Sequence, residues 1–283
     1  MCNTILITGA SGTIGRELVA QLKNAGASLV AASSSGQTIA GVTTRHADFA
    51  DKASLVSAFT GVDTLFLLLP LQSDMVDLAR NAVEAAKSAG VKHIVRSSGA
   101  GADAASPAAI ARVQGEIDQL VVGSGIAYTL TRPANFMQNY KNFYAGMITA
   151  GTLYLPQGDG KVSFIDARDI AAANAVILQN PARHAGKTYT LTGGAALSNA
   201  EAVAAIGAAV GRAVNYVAVS DEQGVAALRG MGMDDWLVDI MMSLNHVIAA
   251  GYASGISPDV EQLLGRTPIP FERFVSDHVA AWR

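Results

Sequence analysis

The chain is poor in what builds several common kinds of site. Among its 283 residues there is one cysteine, Cys2. A single thiol excludes an internal disulfide and a zinc site built from cysteines, and it fits a reducing compartment. Five histidines, His46, His93, His184, His246 and His278, lack metal-ligand spacing; no metal is expected, and each reads as structural or exposed. Charged residues make up 15% of the chain, net charge is −3 and there is no basic run, so nucleic acid is not an expected partner. The longest apolar runs, such as residues 65–71, are far too short to span a bilayer, so no membrane partner is expected either. No basic segment leading into an apolar stretch and cleavage site opens the sequence, which makes the cytoplasm the expected location. There is no fixed-period repeat and no low-complexity linker. A homodimer stays open.

What is present is a large apolar fraction, 50%, enough for a sizeable core. The length suits one large α/β domain or a main domain with a smaller lobe. The most informative stretch is Ile5-Leu6-Ile7-Thr8-Gly9-Ala10-Ser11-Gly12-Thr13-Ile14-Gly15-Arg16. An apolar strand runs into three glycines spaced by three, and a helix opens behind them. Glycine lets backbone turn sharply and approach a ligand where a Cβ would clash. A helix N-terminus adds free N–H groups and the positive end of a dipole, which suits a pyrophosphate. Glycine triplets are common, but this one stands between strand and helix, the context a dinucleotide site requires.

Strands and helices alternate through the first half. The pattern predicts strands at 4–8, 28–32, 64–69, 92–97 and 127–131, and helices at 15–24, 52–59, 73–89 and 108–122. Helices that stop at glycine and strands of unbroken apolar character point to a parallel sheet covered on both faces, doubly wound from β-α-β units. After Pro133 the rhythm changes. Helices are expected at 135–150, 169–179, 199–210 and 234–249, with short strands at 161–165 and 188–191. The fold expected is α/β: a doubly wound parallel sheet of Rossmann type with a smaller C-terminal α+β lobe forming the substrate cleft. Residues 1–132 would be the dinucleotide-binding core. Residues 133–283 would supply mainly cleft elements rather than an independent domain.

Residues 8–15 resemble the fingerprint of atypical and extended short-chain dehydrogenases. Four further stretches narrow the resemblance: His46-Ala47-Asp48-Phe49, Ala89-Gly90-Val91-Lys92-His93-Ile94-Val95, Ser124-Gly125-Ile126-Ala127-Tyr128-Thr129, and Arg132-Pro133-Ala134-Asn135-Phe136-Met137-Gln138-Asn139. In this order they resemble the NmrA-like family, which includes triphenylmethane reductase, a quinone oxidoreductase and redox-sensing regulators that bind the cofactor without turning it over. The resemblance implies that Gly9, Ser11, Gly12, Thr13 and Ile14 hold the pyrophosphate and that Asp48 and Phe49 sit by the adenine. It places Leu68, Leu69 and Pro70 beside the cofactor, with Ser97, Ser98 and Gly99 after the next strand, and Pro133, Asn135 and Phe136 near the nicotinamide. Asp48 taken alone also reads as a turn or cap residue.

Short-chain dehydrogenases carry Tyr-x-x-x-Lys on the helix that here is 108–122. Aligned on Glu116, those positions hold Ile110 and Gln114, and no tyrosine or lysine occurs from Ser97 to Val122. General acid catalysis by that pair is not expected. Either the acceptor is already electrophilic, an aromatic, quinonoid or iminium molecule that takes hydride with little protein help, or the protein is an NAD(P)-sensing regulator that binds a partner protein without catalysis. No acid follows the glycine loop where an NAD enzyme places one; Ser33, Ser34 and Ser35 stand there. The expected cofactor is therefore NADP, with NAD the alternative. NADP-using relatives often have arginine where Ser34 aligns, and Arg16 or Arg45 could compensate, although each also reads as a surface charge.

No motif singles out a catalytic residue; Ser98 and Tyr140 are candidates. Phe136, Tyr140, Phe143, Tyr144 and Met147 share one face of the helix expected at 135–150, which reads equally as core or pocket lining. Met231, Met233, Trp236, Ile240, Met241 and Leu244 form a second cluster, for which core packing is the commoner role. From these groups Phe136, Tyr140, Phe143, Met233 and Trp236 are the candidates for a substrate pocket. Asp234 and Asp235 read as helix caps, and Glu116 and Asp118 as solvent-facing or locally packed residues.

Overall fold

The computed structural model describes residues 3–23, 26, 28–39 and 41–283; Cys2 and Asn24 lie outside the described residues. The chain divides into two compact units. The first is Met1–Ser106, Ala111–Arg132 and Ile170–Tyr189; the second is Pro107–Ile110, Pro133–Asp169 and Thr190–Arg283.

The first unit is built on β1 (Thr4–Ile7), β2 (Ser28–Ser33), β3 (Thr43–His46), β4 (Thr64–Leu67), β5 (His93–Ser97) and β6 (Ala127–Pro133). Its helices are α1 (Thr13–Leu22), α2 (Lys52–Phe59), α3 (Met75–Ser88) and α4 (Ala109–Val122). The sheet order is β3-β2-β1-β4-β5-β6, continued by the later strand Lys187–Leu191. Every pairing from β3 to β6 is parallel. Central strands read as continuous apolar runs because both faces are covered: all four residues of β4 are buried. Helix ends follow local chemistry. Asp51 caps α2 by accepting from the N–H groups of Ala53 and Ser54. Gly61 and Gly90, just beyond α2 and α3, take positive φ.

Strand order reverses between β1 and β4, because the chain first builds outward to β3 and then returns. That reversal opens a crevice at the carboxyl ends of the strands, the place where ligands of such sheets sit. In a parallel sheet the loops after β1, β2, β3, β4 and β5 all leave from this edge.

The expected boundaries differ in a few places. The first helix starts at Thr13, and the strand expected at 64–69 stops at Leu67. β3 was not anticipated: its residues run exposed, half-buried, half-buried, exposed, so an edge strand left no apolar signal.

The second unit holds α5 (Asn139–Asn142), α6 (Ala145–Thr149), β7 (Thr152–Leu155), β8 (Lys161–Val162), α8 (Asn199–Val210), β11 (Asn215–Ala218), α9 (Asp221–Gly230) and α10 (Asp235–Ala249), then α11 (Asp259–Leu264) and α12 (Phe271–His278). α7 (Ala167–Gln179) and β9 (Lys187–Leu191) fall largely in the first unit, whereas β10 (Leu197–Ser198) belongs to the second. β11 pairs with β7 in parallel and β10 with β8 in antiparallel.

The helix expected at 135–150 does not form as one element. The Asn135 carbonyl accepts from Ile165 N–H and the Met137 N–H donates to the Ile165 carbonyl. This strand-like exchange takes the backbone groups a helix would have used, leaving only the short turns α5 and α6. The strand expected at 161–165 is correspondingly reduced to Lys161–Val162 plus a single bridge between Phe136 and Ile165.

Candidate functional site

Thr8 ties the two strands flanking the crevice. Its hydroxyl bonds to the Phe66 and Leu68 carbonyls, and the Leu68 N–H donates back to it at 2.8 Å. Gly9 follows with φ +64°, and a Cβ there would meet Leu68 Cδ2 at 3.0 Å. The three glycines have different tasks. At Gly15 a Cβ would lie 2.1 Å from the Gly9 carbonyl oxygen, so this glycine lets α1 pack against the turn. At Gly12 a Cβ would meet only the Gly9 oxygen, at 3.3 Å, and otherwise points into open space. Gly12 caps α1 without a side chain, and Arg16 N–H is the first to return to it. Among the described residues, the N–H groups of Thr13, Ile14 and Gly15 have no acceptor. The result is a cradle of orphan donors at a helix N-terminus, which fits an anion.

The other residues expected at the cofactor lie along the same edge. Ser33 ends β2, with its hydroxyl 3.1 Å from that of Ser35, and Ser34 is exposed. Arg45 is not available as a phosphate partner: its Nη1 donates to the carbonyls of Ala58 and Thr60 at the end of α2. Arg16 is exposed on the first turn of α1. Asp48 and Phe49 follow β3. The Asp48 carboxylate accepts from Ala50 N–H, a turn role, while Asn81 fixes the Phe49 carbonyl. Leu68, Leu69 and Pro70 follow β4, and Ser98 and Gly99 follow β5.

Ser97 and Ser98 carry buried hydroxyls with no hydrogen-bond partner, although the Ser98 N–H donates to the Thr131 carbonyl at 2.7 Å. Gln114 passes close to the same turn; a Cβ on Gly99 would be 3.6 Å from its Cγ. Its Oε1 accepts from Arg96 Nη2 at 2.6 Å. Asp118 is buried and bound by Arg132, correcting the expectation of a solvent-facing or merely local residue. Sequence reasoning passed over Arg96. The available signal was a charge inside the apolar strand His93-Ile94-Val95-Arg96-Ser97.

In the second unit, Pro133 and Ala134 are buried, while Asn135 and Phe136 are half-buried. Below them Gln138 bridges Asp166 and the Ala167 N–H. Asp166 is held below the usual carboxylate range: the two hydrogen bonds and charge of Arg168 outweigh the burial that would raise it. Tyr140 is fully buried among Phe164, Phe271 and Tyr144, and its hydroxyl donates to Asn199 Oδ1 at 2.7 Å. It is a core residue, so it lines no pocket and has no access to a substrate oxygen; both expectations for it are corrected. Burial holds its phenol well above the ordinary value. Phe143 is 70% exposed, Met233 and Trp236 are half-buried, and Asp234 caps α10 through Leu237 N–H.

Residues 1–263 match the model of the NmrA-like family. The chain belongs to that family. It is 41% identical to an NAD(P)H azoreductase of Xenophilus azovorans, over 98% of this chain and 99% of the relative. Its fold matches the Escherichia coli NADPH-dependent quinone oxidoreductase complexed with NADPH, with a TM-score of 0.85 and 31% identity over 96% of this chain and 99% of the other. It also matches the Citrobacter triphenylmethane reductase complexed with NADP(H), with a TM-score of 0.85 and 26% identity over 97% and 99%. No helix among the described residues is long and apolar enough to cross a membrane.

Proposed function

We propose that this NmrA-like protein passes hydride from NADPH to an electrophilic, conjugated small molecule: a quinone, an azo compound or a cationic aromatic dye. The chain is an NAD(P)H-dependent oxidoreductase. The observation that carries the reading is the cradle at the β1–α1 turn, with three orphan N–H groups and open space beyond Gly12. That donor set fits the pyrophosphate of a dinucleotide. The 41% identity to an NAD(P)H azoreductase across the whole length supports the same cofactor.

In this reading Gly9, Ser11, Gly12, Thr13 and Ile14 hold the pyrophosphate. Ser33 and Ser34 receive the 2′-phosphate side, and Asp48 and Phe49 the adenine. Leu68 to Pro70 and Ser97 to Gly99 run beside the nicotinamide half. Pro133, Asn135 and Phe136 are further contacts, and Phe136, Phe143, Met233 and Trp236 offer apolar surface to an aromatic acceptor. A bound nicotinamide supplies the hydride. The protein's part in this reading is to bind and orient, because α4 carries Ile110 and Gln114 where a Tyr–Lys pair would stand, and the Gln114 amide oxygen is engaged by Arg96. An acceptor that is already electron-poor needs no strong acid at the moment of transfer.

The test is NADPH oxidation by the purified protein with a quinone, an azo dye and a triarylmethane dye. Turnover of at least one is expected, with deuteride from labelled NADPH appearing on the central carbon of a triarylmethane product. NADPH binding without turnover of any acceptor would overturn the proposal and favour a cofactor-sensing regulator.

A further inference from the structure

Arg96 enters the reading above only as the partner of Gln114, and its burial demands a reason of its own. It precedes Ser97 at the end of β5 and is 1% exposed. Its Nη1 donates to the Ser97 carbonyl and its Nη2 to Gln114 Oε1, both neutral acceptors. Among the described residues of the first unit, Asp118 is the buried carboxylate. Its Oδ2 receives Arg132 Nε at 3.1 Å and Nη2 at 2.9 Å. Its Oδ1 makes no hydrogen bond and stands 3.8 Å from Arg96 Nε, which is also unpartnered. Two guanidinium groups therefore share one carboxylate, and Arg132 takes its hydrogen bonds. Buried His93 adds no charge near neutrality, since burial lowers its pKa to about 4. Arg96 keeps its charge, because burial lowers its pKa only to about 10. An under-compensated cation is thus fixed beneath the Ser97–Ser98 turn.

This matters if a dinucleotide lies at the carboxyl edge, and the inference rests on that proposed reading. The two redox forms of the cofactor differ in charge at one place. The reduced nicotinamide ring is neutral and the oxidised ring carries a positive charge. The geometry points to Arg96 as a specificity-determining residue that makes the site favour the reduced over the oxidised dinucleotide. It acts through the field rather than by contact, with Gln114 and Ser97 as the neutral groups that hold it in place. By Coulomb's law at an effective dielectric of about 20 to 40, a pair of unit charges about 10 Å apart is worth about four- to sixteenfold in an affinity ratio, which sets the scale of the effect. A reductase gains from this, because the spent cofactor is expelled in preference to the fresh one.

The test is calorimetric titration of NADPH and NADP⁺ into the wild type and three variants, read as the ratio of the two dissociation constants. Wild type should bind NADPH more tightly. Gln114→Glu sets a carboxylate against Arg96 at nearly constant volume and should lower the preference about four- to sixteenfold. Arg96→Met should act in the same direction. Asp118→Asn removes the compensating charge and should raise the preference. Opposite signs from two neighbouring substitutions do not arise from general loosening, and Gln114→Glu keeps the test independent of whether Arg96→Met folds. Movement of Gln114→Glu and Asp118→Asn in the same direction, or no movement in either, overturns the inference. A wild type that binds neither nucleotide removes the cofactor reading itself, whereas NADPH binding with an unmoved ratio removes only the role of Arg96.

Discussion

Gly12 and Gly15 stand three residues apart in one turn, and filling them should have different consequences for the fold. At Gly12 the backbone is extended to helical N-cap geometry, φ −79° and ψ −178°, which any residue adopts. A new Cβ meets one carbonyl oxygen at 3.3 Å and then open space, so Gly12→Val should cost the fold no more than about 1 kcal/mol, within the range for changing a cap residue. The valine methyls instead occupy the volume in front of the orphan N–H groups of Thr13, Ile14 and Gly15. Hydrogen bonds from neutral donors to a charged acceptor are worth about 1.5–3 kcal/mol each. Losing two of them at the lower figure weakens NADPH by about a hundredfold. Gly15→Ala places its methyl 2.1 Å from the Gly9 oxygen and 2.6 Å from Ala10 Cα, both backbone, so α1 must move off the turn. That variant should lose several degrees of melting temperature as well as binding. Fluorescence titration of NADPH beside thermal unfolding separates the two. A folded Gly12→Val with unchanged NADPH affinity would refute the assignment of the cradle to a pyrophosphate.

Three further outcomes are expected. Ser34→Asp, at an exposed position after β2, should weaken NADPH more than NADH by setting a carboxylate against the 2′-phosphate; equal losses measured for both cofactors would remove Ser34 from that subsite. Tyr140→Phe should leave Asn199 short of a donor and cost about 1–3 kcal/mol in denaturant unfolding, and like Ser98→Ala it should lower turnover well short of the 10²–10⁴-fold that attends loss of a general acid. His93, buried against Thr129, titrates from about 4 in the folded state against 6.5 for a free imidazole, so its contribution is complete above pH 6.5 and is lost as pH falls towards 4. His93→Gln should flatten this part of the stability–pH curve relative to wild type.

The first unit was legible because its elements announce themselves in one dimension. β1 and β4 are unbroken apolar runs, α2 begins at a capping aspartate, and the glycine loop needs its residues for backbone reasons that spacing alone conveys. What escaped notice was decided by partners distant in sequence. Residues 135–150 have the apolar spacing of a helix, yet Ile165 claims the backbone of Asn135 and Met137. Tyr140 belongs to an aromatic spacing that a helix would have turned to one side; broken into two turns, the segment sends it inward to Phe164 and Phe271. α12 was missed although its face of Phe271, Phe274 and Val275 is buried, because eight residues with one amphipathic stripe stand out little from their surroundings.

The same division runs through the site. Glycines act by what they lack, so a single position is enough to recognise them. Arg96, Gln114, Asp118 and Arg132 act only through one another, on two strands and a helix, and none carries a motif. Gln114 stands where a lysine would pair with the tyrosine, and its role comes from the guanidinium that holds its oxygen. A carboxylic acid at that position would sit beside a buried cation, which favours its anionic form over the protonated one. A neutral amide does not titrate. α4 thus carries the amide that holds the Arg96 guanidinium, which suits the proposed reaction, in which hydride moves and the acceptor supplies its own electrophilicity.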